Sequence, residues 1–339
     1  MSRRFLVTGG MGFIGTNLVK YIRAHYPGDP IVVFDCMTYA SRPSLLSEDE
    51  YTLEKVDIRD QASLCRAILK HQPTHVYHLA AESHVCRSIA GPRDFIHTNV
   101  MGTWNLMEEL RHYGKAHRIV HVSTDEVFGE AADGQFFTES TQIAPRSPYA
   151  ASKAASDHIA LSYHSTYRMP IMVTNCSNNF GSNQHEEKLI PKTIMSMLAE
   201  EPVTLYGDGQ QVRDWIWVGD HCDALDRVMR EGRPGERYCI GGDIQMTNER
   251  IVQEVADSVA RVTGKGLKWT IKYTDDRPTD DRRYAINNKK IHSELKWSPK
   301  KTNFRMMLDY TVRWYCGKLW SREAGAAPFD RHKEAEVTQ

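Results

Sequence analysis

The sequence lacks any apolar run long enough to cross a bilayer, so a membrane-spanning helix is not expected. It lacks net charge as well: 43 basic and 43 acidic residues cancel. That balance excludes a dominant face for nucleic acid or another polyanion and leaves room only for a local basic pocket. Cysteine is sparse and odd in number, seven in 339 residues, with no Cys-x-x-Cys pair. No metal site and no disulfide framework is expected from that spacing, and free thiols in a reducing cytoplasm are. No internal repeat occurs. Arg3-Arg4 passes straight into the strand-like Phe5-Leu6-Val7, without a signal-peptide pattern.

What the chain does have is alternation. Short apolar runs at 5–8, 31–35, 75–79, 118–123 and 171–174 are separated by helical stretches at 16–25, 61–71, about 99–113 and 149–167. Buried strands that alternate with helices predict right-handed crossovers and a parallel sheet, hence an α/β, Rossmann-type doubly wound fold. After about Asn179 polar loops interrupt shorter elements. We read residues 1–178 as a nucleotide-binding domain with returns near 212–242, and 179–320 as a smaller α/β substrate lobe. The polar, aperiodic segment 321–339 reads as a disordered tail.

Thr8-Gly-Gly-Met-Gly-Phe-Ile-Gly15 lies between the first strand and the first helix. Gly9, Gly12 and Gly15 there allow a tight turn and bring backbone N–H groups up to a pyrophosphate at a helix N-terminus. Asp35 ends the second strand twenty residues after Gly15. A carboxylate at that place suits an adenosine ribose diol and repels a 2′-phosphate, which favours NAD over NADP. Asp57-Ile58, after the third strand, suits an adenine contact.

Tyr149 and Lys153 stand one helical turn apart and face the same way. An ammonium beside a phenol is expected to lower its pKa, so that tyrosinate accepts a hydroxyl proton while hydride leaves the same carbon. Upstream, Thr124-Asp125-Glu126 follows a strand end, where active-site residues of such folds belong. Two carboxyls held together in a partly buried site have their pKa values pushed apart, one acid and one base. Hydride transfer joined to acid and base is the chemistry of a sugar dehydratase.

These motifs, with Ala80-Ala-Glu-Ser-His-Val85, Ser147-Pro-Tyr-Ala-Ala-Ser-Lys153, Asn175-Cys-Ser-Asn-Asn-Phe-Gly181, Glu187-Lys-Leu-Ile-Pro191, Arg213-Asp-Trp215 and Asp276-Arg-Pro278, resemble the extended short-chain dehydrogenase/reductase family. Within it they are most similar to the dTDP-glucose 4,6-dehydratases, over about residues 4–318. The resemblance implies NAD bound by Gly9, Gly12, Phe13, Ile14, Gly15, Asp35, Cys36, Met37, Thr38, Asp57, Ile58, Leu79, Ala80, Ala81, Ser83, Thr98, Tyr149, Lys153 and Asn179. It implies a sugar nucleotide bound by Ser83, Thr124, Asn178, Lys188, Leu189, Thr204, Tyr206, Arg213, Asn248 and Arg277. Thr124, Asp125, Glu126, Tyr149 and Lys153 would be catalytic, and the paired helices 99–113 and 149–167 would form a homodimer. From the residues alone, each arginine is equally a solvated surface charge, Tyr206 is equally a core residue, and the apolar stripes of those helices equally serve the core.

The chain departs from the family pattern at four places. Cys86 replaces an Asp, Thr279-Asp280 a Gly-His, and Ser41-Arg42-Pro43 a Gly-Asn, while 182–186 form a different loop. Several of them flank the nucleotide wall, so UDP-glucose or another sugar nucleotide stays open as substrate. A 4-epimerase or uronic-acid decarboxylase of the same fold stays open too, although Asp125 and Glu126 would then be surplus. A dinucleotide-sensing protein without turnover would need none of the reactive set.

Overall fold

A computed structural model describes residues 3–43, 46–266, 268–300 and 303–324, with side chains omitted for 318–324. The strands are β1 (Phe5–Thr8), β2 (Ile31–Asp35), β3 (Thr52–Lys55), β4 (His75–His78), β5 (Arg118–Thr124), β6 (Ile171–Cys176), β7 (Asn178–Phe180), β8 (Val203–Tyr206), β9 (Val212–Trp217), β10 (Arg237–Ile240), β11 (Gln245–Thr247) and β12 (Ile271–Thr274). Seven of them form one parallel sheet in the order β10-β6-β5-β4-β1-β2-β3. The order reverses between β1 and β4, so a crevice opens beyond their C-terminal ends.

The sheet is apolar on both sides because both are covered. On one face the helices Phe13–His25 and Val218–Glu231 bring Leu18, Val19, Ile22, Leu225 and Val228 against Val7, Val33 and Val120. On the other, the helices Gln61–His71, Thr103–Tyr113 and Pro148–Tyr167 bury Leu64, Ile68, Leu106, Leu110 and Ala160 against Leu6, Val32 and Ile119. Burial of this kind contributes about 1.5–3 kcal/mol for each large aliphatic side chain. Edge strand β3 has no apolar run, and Leu53 stands exposed, so only the crossover logic predicts it.

A separate apolar cluster forms in the second half. Ile190, Ile194 and Met197 of the helix Leu189–Leu198 pack with Val252, Val255 and Val259 of the helix Asn248–Thr263, and with Leu308 and Val312 of the last helix. Two small sheets, β11-β9-β7 and β12-β8, flank it. The helix Lys289–Leu295 returns to the first unit, where Ile291, Leu295 and Trp297 join the core beside Val228 and Tyr238.

Two details differ from the sequence reading. The helix expected from about 99 is a continuous run that starts at Pro92, with a π-helical stretch at Ile96–Gly102. Gly102 there leaves room for Ile58, whose side chain would collide with a Cβ. The last helix extends through Phe304–Ala324, so the first four residues of the expected disordered tail are helical. Residues 325–339 of that tail lie outside the described residues. Among the described residues no helix is long and apolar enough to cross a membrane.

Candidate active site

The dinucleotide end of the crevice is built from backbone. Gly9 has φ +67°, and a Cβ there would stand 2.8 Å from the Cα and N of Ala80. A Cβ on Gly15 would collide with the Gly9 carbonyl. Glycine is therefore required by close approach as well as by conformation. Gly12 caps the helix without a side-chain hydrogen bond, so the first amides of that helix are left for an anion. Asp35 Oδ2 accepts from Met11 N at 2.9 Å, and Oδ1 accepts from Met37 N at 2.8 Å and from the Ser41 hydroxyl at 2.9 Å. The carboxylate thus braces the glycine loop and still keeps lone pairs for a diol. Asp57 is gripped by Arg59 at 2.6 Å, which holds its carboxyl below the usual range.

A cavity of about 330 Å³ runs from this loop toward β5 and β6. Gly9, Gly12, Phe13, Ile14, Gly15, Asp35, Cys36, Thr38, Asp57 and Ile58 line its outer part. Leu79, Ala80, Ala81, Ser83, Thr98, Thr124, Glu126, Tyr149, Lys153, Asn178 and Asn179 line its inner part. Met37 lines it nowhere; its backbone is spent on Asp35. This cradle fits a dinucleotide, and among the described residues no group of His, Cys, Asp and Glu could hold a metal.

The reactive groups gather at the inner end. The Thr124 hydroxyl accepts from Glu126 N at 3.3 Å and caps a 3-10 turn over Asp125–Phe128. Gly129, at φ +76°, ends that turn, because a Cβ would meet the Ala144 carbonyl. The Thr124 carbonyl is held by Asn175 at 2.9 Å, within a buried set in which Arg237 pairs with Asp157 at 2.7 Å. Ser147 caps the helix that carries Tyr149 and Lys153 by accepting from Ala150 N at 3.1 Å, with Pro148 in its first turn.

Asp125 and Glu126 are not equivalent. Asp125 is buried, its Oδ1 accepts the Thr124 hydroxyl at 3.2 Å, and its Oδ2 has no partner. Burial, with the Glu126 and Asp214 carboxylates nearby, holds it well above the usual range. Glu126 is also raised by burial, but Lys188, Arg213 and Arg277 pull it back down. Both carboxyls move upward, Asp125 more than Glu126, and the nearby cations act chiefly on Glu126. Of the two carboxyls expected to enter the cleft together, only Glu126 lines the cavity; Asp125, the first residue of the turn, is buried away from it by packing.

The phenol differs from the sequence expectation. Burial and the Glu126 charge hold Tyr149 well above the usual tyrosine value, opposed by a hydrogen bond from Thr124. The Lys153 ammonium instead donates to the Val122 carbonyl at 2.8 Å and is itself depressed by burial. Without a further positive charge in the cleft, desolvation outweighs the lysine.

A second cavity, about 200 Å³, continues into the substrate lobe. Ser83, Asn178, Lys188, Leu189, Thr204, Tyr206, Arg213, Asn248 and Arg277 all line it. Lys188 Nζ donates to Ser83 O at 3.0 Å, Arg213 lies 4.3 Å over the Tyr284 ring, and Arg277 lies 5.0 Å over Tyr206. Glu126, Asn178, Asn179 and Lys188 line both cavities, so Glu126 stands where they meet. The sequence reading did not place Tyr284 in this wall, nor Ser177 in the first cavity; Asp280 was expected near the nucleotide only as a departure from the family pattern.

Comparison with known proteins agrees with this geometry. Residues 6–311 match the family model described as GDP-mannose 4,6 dehydratase. A dTDP-glucose 4,6-dehydratase of Xanthomonas campestris pv. campestris is 46% identical over 327 residues, which cover 92% of each chain. The solved dTDP-glucose 4,6-dehydratase of Streptomyces venezuelae, with NAD bound, is 40% identical with a TM-score of 0.87, covering 94% of this chain and 98% of that one. The Bacillus anthracis dTDP-glucose 4,6-dehydratase in complex with NAD is 41% identical with a TM-score of 0.84, at the same coverage.

Proposed function

This chain belongs to the GDP-mannose 4,6 dehydratase family, within the extended short-chain dehydrogenase/reductases, and on that premise we propose that it dehydrates a nucleotide-activated glucose, dTDP-glucose first among them, to the 4-keto-6-deoxy sugar. The observation that carries the reading is Glu126 at the junction of the two cavities, with the Asp125 carboxyl buried next to it in the chain. An epimerase has no use for that pair.

NAD fits the glycine cradle, held by the helix amides after Gly12, by Asp35 and by Lys153. When bound, it supplies a hydride acceptor for C4 and returns the hydride at C6. The chain's own groups do the proton work. Tyr149 would take the 4-hydroxyl proton, with Lys153 on the same helix face as the cation of this chain beside it; a bound oxidised cofactor would add positive charge that favours the phenolate. Thr124 holds the 4-oxygen. The resulting ketone acidifies C5, whose proton Glu126 removes and later returns; for Asp125 to protonate the departing 6-hydroxyl, its side chain would have to turn into the cavity when the sugar binds. Lys188, Arg213 and Arg277 supply the positive side chains for the diphosphate, with Asn178, Leu189, Thr204, Tyr206 and Asn248 around the nucleoside.

Residues 1–178 with the returns near 212–242 serve as the NAD-binding part and 179–320 as the sugar-nucleotide lobe; the two apolar clusters support that division except at Ile291, Leu295 and Trp297, which join the first core, and Trp215, which joins the second. The enzyme works in the cytoplasm as a homodimer. Ile96, Met101 and Trp104 on one helix run and Tyr167 on its neighbour stay exposed, the apolar surface that such a pairing needs. The test is incubation with dTDP-, UDP-, CDP- and GDP-glucose and mass analysis of the product. Loss of one water from the dTDP sugar is expected. An isomer of unchanged mass would replace the dehydratase reading with an epimerase.

A further inference from the structure

The positive side chains of the second cavity have a negative companion. Asp280 has only 6% of its side chain exposed and lines the same wall. Its Oδ1 accepts from Arg213 Nη2 at 3.1 Å and from Arg277 Nη2 at 2.8 Å. One oxygen is thus shared between two guanidinium groups that come from β9 and from the loop after β12. The other oxygen, Oδ2, is buried without a partner, as is Arg277 Nε. A carboxylate built to lock an arginine permanently would use both oxygens in a parallel fork. Here each arginine spends one Nη2 contact on it and keeps further donors. Aromatic faces steady both arginines from the side, Tyr284 under Arg213 and Tyr206 under Arg277.

We propose that Asp280 is a built-in counter-anion of the nucleotide site, a specificity-determining side chain that occupies the charge position of the substrate's diphosphate. It rests on the nucleotide-sugar reading above. Before a diphosphate enters, Asp280 keeps one buried and one partly buried cation apart and aimed. When a diphosphate enters, its oxygens compete with Oδ1 for the same donors, and at least one guanidinium leaves the carboxylate. The carboxylate therefore costs affinity, because it faces the incoming anion at close range. In return it keeps the arginines oriented and speeds release of a dianionic product.

The test is Asp280→Asn, with calorimetric titration of dTDP and, for comparison, thymidine monophosphate. The variant is expected to bind dTDP on the order of tenfold more tightly than the parent, and the gain is smaller for the monophosphate because less negative charge is relieved. Equal or weaker dTDP binding by a variant with the parent's circular dichroism spectrum overturns the proposal. If dTDP binds to neither protein, the function reading fails with it; if it binds both alike, only the counter-anion role fails. Should the variant not fold, a crystal structure of the unaltered chain with dTDP decides. One arginine released from Asp280 to a phosphate is expected, and both ion pairs intact with the phosphates held elsewhere overturns it.

Discussion

The two ends of the cleft are made from different material. At the dinucleotide end, backbone amides and missing side chains form the wall, drawn from one local strand–turn–helix segment and braced by Asp35. At the sugar-nucleotide end, charged side chains from distant segments form it: Arg213 and Arg277 joined through Asp280 and set over Tyr284 and Tyr206, with Lys188 tied to the Ser83 carbonyl. The first kind of site is rigid and tolerates nothing added. The second is a balance of charges that single substitutions tune. Glu126 stands between them and answers to both, raised by burial and lowered by the three cations of the far end.

The sharpest way to break that comparison is at the junction. Glu126→Gln is expected to lower dehydration about 10²–10⁴-fold, the usual range for a lost general base, while C4 oxidation persists. Stopped-flow absorbance of the reduced cofactor, set against product mass, checks it; loss of oxidation with elimination retained from a 4-keto substrate would reverse the assigned roles. Next is the backbone end. Gly15→Ala puts a methyl against the Gly9 carbonyl, which has no flexible side chain to yield. A stability loss of about 1–3 kcal/mol is expected from overpacking, with NAD affinity reduced at least about tenfold. Thermal melts and cofactor titration measure both, and unchanged NAD affinity would mean that the loop is not the pyrophosphate cradle.

Arg213→Lys probes the charged end. A point charge replaces a fork, so KM for the sugar nucleotide is expected to rise about tenfold while NAD affinity holds. If both constants move together, the two ends are coupled and the contrast drawn here fails. The smallest effect lies outside the cleft. Glu108, between Arg111 and Tyr163, is held down to about 2 by their hydrogen bonds. A depressed carboxyl stabilises the fold above its ordinary value near 4.5, and this contribution is lost as pH falls toward 2. Glu108→Gln is expected to lower the melting temperature slightly at pH 7, as for other ion pairs of about 0.2–1 kcal/mol, with the gap closing on acidification. A gap that widens at low pH would contradict the shift.

Legibility follows the same division. The first helix and its glycines, Asp35 at the end of β2, and Tyr149 with Lys153 are readable because each depends on neighbours within one supersecondary unit. The π-helical stretch at Ile96–Gly102 was not, since it answers to Ile58 and places Asn99 where it holds Glu82 and Ser152, contacts remote in sequence. The direction of the Tyr149 shift was missed for a similar reason. Helical spacing put Lys153 beside it, but the depth of burial and the preference of the ammonium for the Val122 carbonyl belong to the packed state. Asp280 appeared only as a departure from a family pattern, with no sign that it joins two arginines.

By itself, then, the sequence determined the alternation of strands and helices through about residue 174, edge strand β3 apart, the local turn that suits a pyrophosphate, and the identity of the candidate reactive groups. Periodicity, capping and glycine tolerance act over a few residues and need no knowledge of the rest. Tertiary structure decided which carboxyl is deep and which faces the cavity, what each lysine and arginine pairs with, and how far each pKa moves. Those quantities depend on desolvation and on charges brought within a few ångströms from segments a hundred residues apart, and only the folded chain sets such distances.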